Sequence, residues 1–239
     1  MKHTVIIILL SFFVHNAIFS QKDKEAAIAP LSLDSFVAKI ARQSLPQIVD
    51  ARSPEEFSLN HINGAVNFNL QTKEYASFIK KLDSTRPVFI YSIATSRSGA
   101  LANELRHRGF SEVYDLKGGI ANWVGGGQPY YTAARKMVTL KEYNNILSTN
   151  KLVLADIGSR YCGACKKVKP ILDTLRRENG TGLTIIEIDL EASPQLIAEL
   201  RTVDAFPYLI LYNEGKVVLK RSGLSELKQE IDDAISKLK

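Results

Sequence analysis

The only two cysteines of this 239-residue chain, Cys162 and Cys165, stand three positions apart. The largely apolar segment from Lys151 to Ile157 predicts a buried strand, and apolar residues between Val168 and Leu175 recur at helical spacing. A Cys-x-x-Cys pair at a strand-to-helix junction is typical of a redox site. Unpaired amides and the dipole at a helix N-terminus favour a thiolate, so we expect a lowered pKa for Cys162 and assign it as the nucleophile.

Three other interpretations of the pair are weaker. A structural zinc site needs four ligands, and every histidine lies far upstream of the pair (His3, His15, His61 and His107), so no metal is expected. A purely structural disulfide would close too short a loop to add much stability. An inert buried pair is disfavoured by the junction around it. We therefore expect no cofactor other than a redox-active Cys162–Cys165 disulfide.

The N-terminus has the layout of a signal peptide over residues 1–20. Lys2 is followed by an apolar run from Val5 to Val14 and by the small residue Ser20. That run is too short to span a bilayer, and no cysteine near residue 20 could carry a lipid. These features predict an exported chain without stable membrane insertion after cleavage, in a periplasm or a similar compartment where disulfides persist.

Length and charge narrow the class of protein further. Lys and Arg number 31 against 25 Asp and Glu, and no basic run is interleaved with aromatic residues, so we expect no nucleic-acid partner. The length suffices for two domains. The glycine-rich stretch Gly125–Pro129 predicts their boundary. We place one domain at 28–130 and the other at 136–239.

Strand and helix patterns alternate along both halves, which predicts an α/β fold with a mostly parallel sheet in the first domain. The predicted helices and strands, besides those around the cysteines, are Asp34–Ala41, Gln47–Asp50, Tyr75–Leu82, Val88–Tyr91, Ser98–His107, Leu183–Ile188, Pro194–Arg201, Tyr208–Tyr212, Lys216–Lys220 and a last helix bearing Leu227, Ile231, Ala234, Ile235 and Leu238.

Residues 136–239 resemble thioredoxin. Asp156 lies six residues before Cys162, at the position of that family's buried carboxylate, and Pro170 matches its helix-kinking proline. Phe206-Pro207 matches the cis-proline that faces the disulfide, and Gly223 matches a glycine near the last strand. The resemblance implies a thioredoxin fold.

The resemblance also implies roles for residues around the pair. Tyr161, Phe206 and Pro207 would contact substrate, Cys165 would resolve the mixed disulfide, and Asp156 would accept the Cys165 proton. Apolar neighbours should independently raise the pKa of Asp156, although a buried Asp that only bonds locally stays an alternative. Two departures stand out: Tyr161 replaces the usual tryptophan, and Glu187 replaces a lysine expected near the buried carboxylate.

Residues 28–130 resemble a rhodanese domain. The matching segments are Asp50-Ala51-Arg52, Glu56-Phe57, His61–Asn67, Gly109-Phe110 and Leu116–Trp123. The family's persulfide-forming cysteine corresponds to Ser92, and Thr95 replaces a glycine of the same loop, which spans residues 91–98. A serine hydroxyl cannot form a persulfide, so sulfur transfer should be lost. Arg97, Arg52 and the loop could still hold an anion. The favoured alternative is that the loop's polar groups satisfy its own backbone.

These observations predict an exported thiol-disulfide oxidoreductase with an inactive rhodanese-like domain that recognises a partner or an anion. Its partners would be protein disulfides and an unidentified redox partner. One alternative is a binding protein for an oxyanion or sulfur compound whose cysteine pair only senses redox state. Another is a disulfide oxidase or isomerase, since direction depends on the reduction potential.

Overall fold

The computed structural model describes residues 29–134 and 138–238. The predicted signal peptide and the predicted domain limits at residues 28 and 136 lie outside these ranges. Two separate main sheets divide the chain into an N-terminal and a C-terminal domain, as predicted. In the two described ranges, no helix is long and apolar enough to cross a membrane.

The N-terminal domain is built on a fully parallel four-stranded sheet with the order β3-β1-β4-β5. A small antiparallel pair, β2 with β6, lies beside it. The elements are α1 (Leu33–Ile40), β1 (Gln47–Asp50), α2 (Pro54–Leu59), β2 (Asn60–Ile62), β3 (Val66–Asn67), α3 (Tyr75–Ile79), β4 (Val88–Tyr91), α4 (Thr95–His107), β5 (Val113–Asp115), α5 (Gly119–Gly125) and β6 (Tyr130–Thr132).

The sequence prediction omitted α2, β2, β3, β5 and α5 of this domain, and it also differs from the structure at β6, α4 and α3. Residues Tyr130–Thr132, for which no strand was predicted, form β6 because they pair with β2. Helix α4 begins at Thr95, three residues earlier than predicted, so part of the predicted loop is its first turn. Helix α3 ends at Ile79, short of the predicted Leu82.

The C-terminal domain is built on a mixed sheet with the order β10-β9-β7-β8, in which only β7 and β8 are parallel. Its elements are α6 (Leu140–Thr149), β7 (Leu152–Gly158), α7 (Gly163–Lys166), α8 (Lys169–Asn179), β8 (Thr184–Asp189), α9 (Pro194–Leu200), β9 (Tyr208–Asn213), β10 (Lys216–Ser222) and α10 (Leu227–Ser236).

The helix predicted after the cysteines is interrupted. Helix α7 ends at Lys166 and α8 begins at Lys169, with Pro170 in its first turn. A proline has no amide hydrogen for the carbonyl four residues back, and its ring collides with that carbonyl. The break therefore follows from Pro170. The last helix also ends earlier than its apolar pattern suggests, since Leu238 lies beyond Ser236.

Side-chain burial joins the two domains. Each keeps a hydrophobic cluster of its own on one side of its sheet. A third and larger cluster spans both, with Trp123 and Val124 from the N-terminal domain and Val203 and Phe206 from the C-terminal domain. The two domains therefore share one hydrophobic core on this face of each sheet.

Candidate functional site

The cysteine pair begins directly beyond the central strand of the C-terminal sheet. Cys162 caps the N-terminus of α7, and its sulfur accepts a hydrogen bond of 3.1 Å from the amide of Cys165. Cys162 and Cys165 form a disulfide with their Cα atoms 5.2 Å apart. When the pair is reduced, the same amide can stabilise a thiolate on Cys162.

Gly158, the last residue of β7, leaves the space that Cys165 occupies. A Cβ atom at Gly158 would lie 3.0 Å from the sulfur of Cys165 and 3.3 Å from its Cβ. Contacts this short would push Cys165 away from the strand. A glycine here therefore lets the second cysteine pack directly on β7.

Asp156 lies beneath the pair, on the same strand. Its Oδ1 atom is buried without a hydrogen-bond partner among the described residues. Burial, and secondarily the negative charge of Glu187, raise the pKa of Asp156 to about 7. Asp156 and Cys165 line one cavity of about 350 Å³. The carboxyl group is thus poised to exchange a proton near neutral pH on the Cys165 side of the disulfide.

Glu187 explains part of this behaviour. It lies opposite Asp156 in the parallel pairing of β7 with β8, and it lines the same cavity. Arg176 forms an ion pair of 2.6 Å with Glu187, and its charge offsets part of the rise in the pKa of Asp156. The acid found where the resemblance implies a lysine therefore acts on Asp156 in the opposite direction to a cation.

A second carboxylate cluster, missed by the sequence analysis, holds the backbone before Cys162. The Ser159 hydroxyl donates to Glu191 over 2.8 Å and accepts from the amide of Tyr161 over 3.2 Å. Arg160 pairs with Asp189 at 2.9 Å. Burial raises the pKa of Glu191 to about 7. The one sequence signal was two acids just after a predicted strand, a pattern common on solvated surfaces.

The predicted substrate-contact residues lie on two segments, Tyr161 next to Cys162 in the chain and Phe206 with Pro207 just before β9. The Phe206–Pro207 bond is cis, as the resemblance implies, and both residues are buried. The carbonyl of Pro207 accepts a hydrogen bond of 2.9 Å from the amide of Gly223, so Gly223 helps to hold the Pro207 backbone. Tyr161 is turned to the other domain, where its hydroxyl donates to Glu55 over 2.6 Å.

The loop that resembles a rhodanese active site is internally bonded. Ser92 is fully buried, and its hydroxyl bonds to the carbonyl of Ala94 and to the hydroxyl of Ser98. Arg97 makes two hydrogen bonds, of 2.6 and 2.8 Å, to the buried carboxylate of Glu56. An incoming anion would have to displace Glu56 from Arg97.

Arg52 is less available to bind an anion than the sequence suggests. It is fully buried and forms an ion pair of 2.7 Å with the equally buried Asp50. Its remaining donors bond to the side chain and the carbonyl of Asn60. Removing Arg52 from these partners would leave a buried charge unpaired. The expectation that Arg52 helps to hold an anion is therefore not consistent with its place in the core.

Within the part of the chain that the structure describes, no group of three or more His, Cys, Asp or Glu side chains has the arrangement to hold a metal ion. The chemistry that the site supports is that of the cysteine pair.

Comparisons with known proteins agree with both halves of this description. The family model of the rhodanese-like domain matches residues 32–125, and that of thioredoxin matches residues 134–237. A thioredoxin of Mycobacterium bovis is 31% identical over 115 residues, which are 45% of this chain and 98% of that protein. The Bacillus subtilis protein YqhL is 32% identical over 126 residues, covering 52% of this chain and 95% of that protein.

Among solved structures, a thioredoxin of Plasmodium falciparum is 29% identical and covers 41% of this chain and 98% of that one, with a TM-score of 0.36. The sequence matches show that the chain belongs to the thioredoxin family, through a C-terminal domain that follows a rhodanese-like domain. It is a thiol-disulfide oxidoreductase of the thioredoxin type.

We predict that Asp156→Asn raises the stability of the oxidised protein at pH 8 by about 1–3 kcal/mol, because an unpartnered buried carboxylate disfavours folding when it is ionised. An unfolded Asp ionises near pH 4, whereas Asp156 ionises at about 7 in the fold. Its contribution to the free energy of unfolding therefore falls as pH rises between these values. Urea unfolding from pH 4 to pH 8 measures this slope. Asp34→Asn, on the surface, should leave the slope unchanged, and an equal slope in Asp156→Asn would contradict the assignment.

We also predict that Glu187→Gln lowers the pKa of Asp156, since it removes the nearest like charge and leaves Arg176 in place. Carboxyl titration by carbon NMR of the oxidised protein would measure the change. Glu178→Gln, an exposed acid on α8 that bonds to Lys228, is the matched control and should leave the titration unchanged. A titration midpoint of Asp156 that does not move in Glu187→Gln would refute the electrostatic coupling.

Proposed function

We propose that this protein is an exported disulfide reductase that acts on polypeptide disulfides. The thiolate of Cys162 attacks one sulfur of the substrate disulfide and forms a mixed disulfide, while the other substrate sulfur leaves as a thiolate. Cys165 then attacks Cys162 and releases the second substrate thiol. The substrate gains two electrons, and the Cys162–Cys165 pair, now oxidised, returns to the dithiol state at the expense of a thiol reductant.

The observation that carries this proposal is the different surroundings of the two sulfurs. The Cys162 sulfur receives the amide of Cys165, whereas Cys165 shares its cavity with Asp156. The first environment favours a nucleophile, and the second supplies a proton acceptor for the resolving thiol. Asp156 therefore has the role of accepting the Cys165 proton when the mixed disulfide is resolved.

The direction of reaction is proposed from similarity. The Mycobacterium bovis relative is a thioredoxin and aligns over nearly its whole length. A raised pKa on the carboxyl group below the resolving thiol suits a proton acceptor at neutral pH. The reaction needs no cofactor beyond the disulfide itself. Export is proposed from the signal-peptide pattern in residues 1–20, which also suits a disulfide-forming compartment.

The N-terminal domain is proposed to serve recognition and not catalysis. Serine stands at the nucleophile position, it is buried, and the neighbouring Arg97 is already paired with Glu56. The arrangement leaves neither a sulfur nucleophile nor a free cation in the loop. Glu55 of the N-terminal domain bonds directly to Tyr161, next to Cys162, and this contact supports a role of the domain in selecting the substrates that reach the disulfide.

We predict that the mature chain catalyses reduction of insulin by dithiothreitol and that Cys162→Ser abolishes the catalysis. Cys165→Ser should instead accumulate mixed disulfides, since the attacking thiol remains and the resolving thiol is lost. Mass spectrometry of the trapped species is unambiguous, because the chain has no third cysteine. Faster alkylation of Cys165 than of Cys162 in the reduced protein near neutral pH would reverse the proposed roles.

For the N-terminal domain, we predict no transfer of sulfur from thiosulfate to cyanide above background. Ser92→Cys should restore little activity, because residue 92 is buried and Arg97 is held by Glu56. The assay is best made in a chain with both Cys162 and Cys165 replaced by Ser, so that the redox pair cannot contribute. Cyanide-dependent turnover in that chain with Ser92 intact would show that the domain is catalytic after all.

A further inference from the structure

The two domains meet through a glycine-lined face of the N-terminal domain. A Cβ atom at Gly118 would collide with the carbonyl of Asp204, and one at Gly125 would collide with the carbonyl of Val203. Arg201 also donates to the carbonyl of Gly126 over 2.9 Å. The backbone of α5 and its flanks therefore lies directly against residues 201–204 of the C-terminal domain.

This contact lies next to the segment that is proposed to bind substrate. Residues 201–204 lead into Phe206 and the cis-linked Pro207, which are proposed to receive substrate backbone. Next to Cys162 in the chain, Tyr161 bonds to Glu55 at the start of α2. The N-terminal domain thus touches the segments that flank the nucleophile in two separate places.

The residues between these two contacts are poorly exposed. Cys162 is 4% exposed and Phe206 9%, and both belong to the hydrophobic cluster that also contains Trp123 and Val124 of the N-terminal domain. Gly163 and Lys166, the first and last residues of α7, are exposed. Phe206 and Pro207 are buried with the N-terminal domain in place, and a polypeptide bound along them needs more free surface than a small molecule does.

We propose that the N-terminal domain is a cover over the substrate-binding face, which makes the enzyme discriminate by size among the disulfides that reach Cys162. Low-molecular-weight disulfides can approach from the side of Gly163. Polypeptide disulfides require α5 and α2 to separate from residues 201–206 and Tyr161. Because the two domains share a large hydrophobic cluster, this separation costs free energy and the covered arrangement predominates. The inference rests on the proposed function and specifies its substrate selection.

Gly125 offers a way to open the cover by a single methyl group. The residue lies in α5 with an ordinary helical backbone, so alanine there is not strained by conformation, and the atoms nearest to the added Cβ belong to Val203 across the interface. Gly99 is a matched control, because it also lies in a helix of the N-terminal domain and a Cβ there would meet Asp115 at 3.8 Å, an ordinary contact. Glu55→Ala removes the second contact, and Glu74→Ala replaces an exposed acid of the same domain elsewhere.

The test is the accessibility of Cys162 in the reduced full-length chain, with Cys165→Ser in every variant so that one thiol remains. Its alkylation rates by N-ethylmaleimide and by a maleimide bearing a polyethylene glycol chain are measured and their ratio compared. We expect the bulky reagent to gain about tenfold relative to the small one in Gly125→Ala, and about threefold in Glu55→Ala. Gly99→Ala and Glu74→Ala should match the parent ratio.

An unchanged ratio in both Gly125→Ala and Glu55→Ala would overturn the cover, as would equal gains in the control variants. Should circular dichroism show Gly125→Ala to be unfolded, Glu55→Ala decides alone. Alkylation requires no turnover, so it separates this inference from the proposed function. Changed accessibility without insulin reduction would contradict only the reductase activity, and insulin reduction with unchanged accessibility would contradict only the cover.

Discussion

The position of β7 between β8 and β9 is the constraint on which the site depends. Pairing on both edges fixes every residue of this strand, including Asp156 opposite Glu187 and Gly158 beneath Cys165. The strand ends at Gly158, and the short turn that follows it carries Cys162 at the start of α7. The same pairing that stabilises the sheet therefore sets both the carboxyl group and the disulfide in place.

Burial of acidic groups near the disulfide gives the site its titration behaviour. Asp156 and Glu191 both have a pKa raised to about 7, chiefly by burial, and they lie on different segments around the cysteines. Buried carboxylates disfavour the folded state when they ionise. With Asp156 in the cavity of Cys165 and Glu191 bonded to the turn before Cys162, the fold retains groups that exchange protons near neutral pH.

Sequence patterns were informative wherever local chemistry decides the structure. The strand-to-helix junction and the burial of Asp156 follow from short segments with distinctive residues, whereas the cis bond before Pro207 was implied by the resemblance to thioredoxin. Strand β6 was missed because Tyr130–Thr132 becomes a strand only by pairing with β2, distant in the chain. The interface was missed for the same reason: a glycine-rich stretch predicts a boundary, and only the fold shows that Gly118 and Gly125 admit the backbone of the other domain.

The claim that the pair acts as a reductant is tested most directly by the reduction potential of Cys162 and Cys165. The full-length protein would be equilibrated with glutathione buffers of graded ratio, and the oxidised fraction measured by alkylation and mass spectrometry. The account predicts a value near that of thioredoxin, about −270 mV. A value of about −120 mV, at which the dithiol form is strongly favoured and the disulfide oxidises its partners, would contradict the assignment as a reductant.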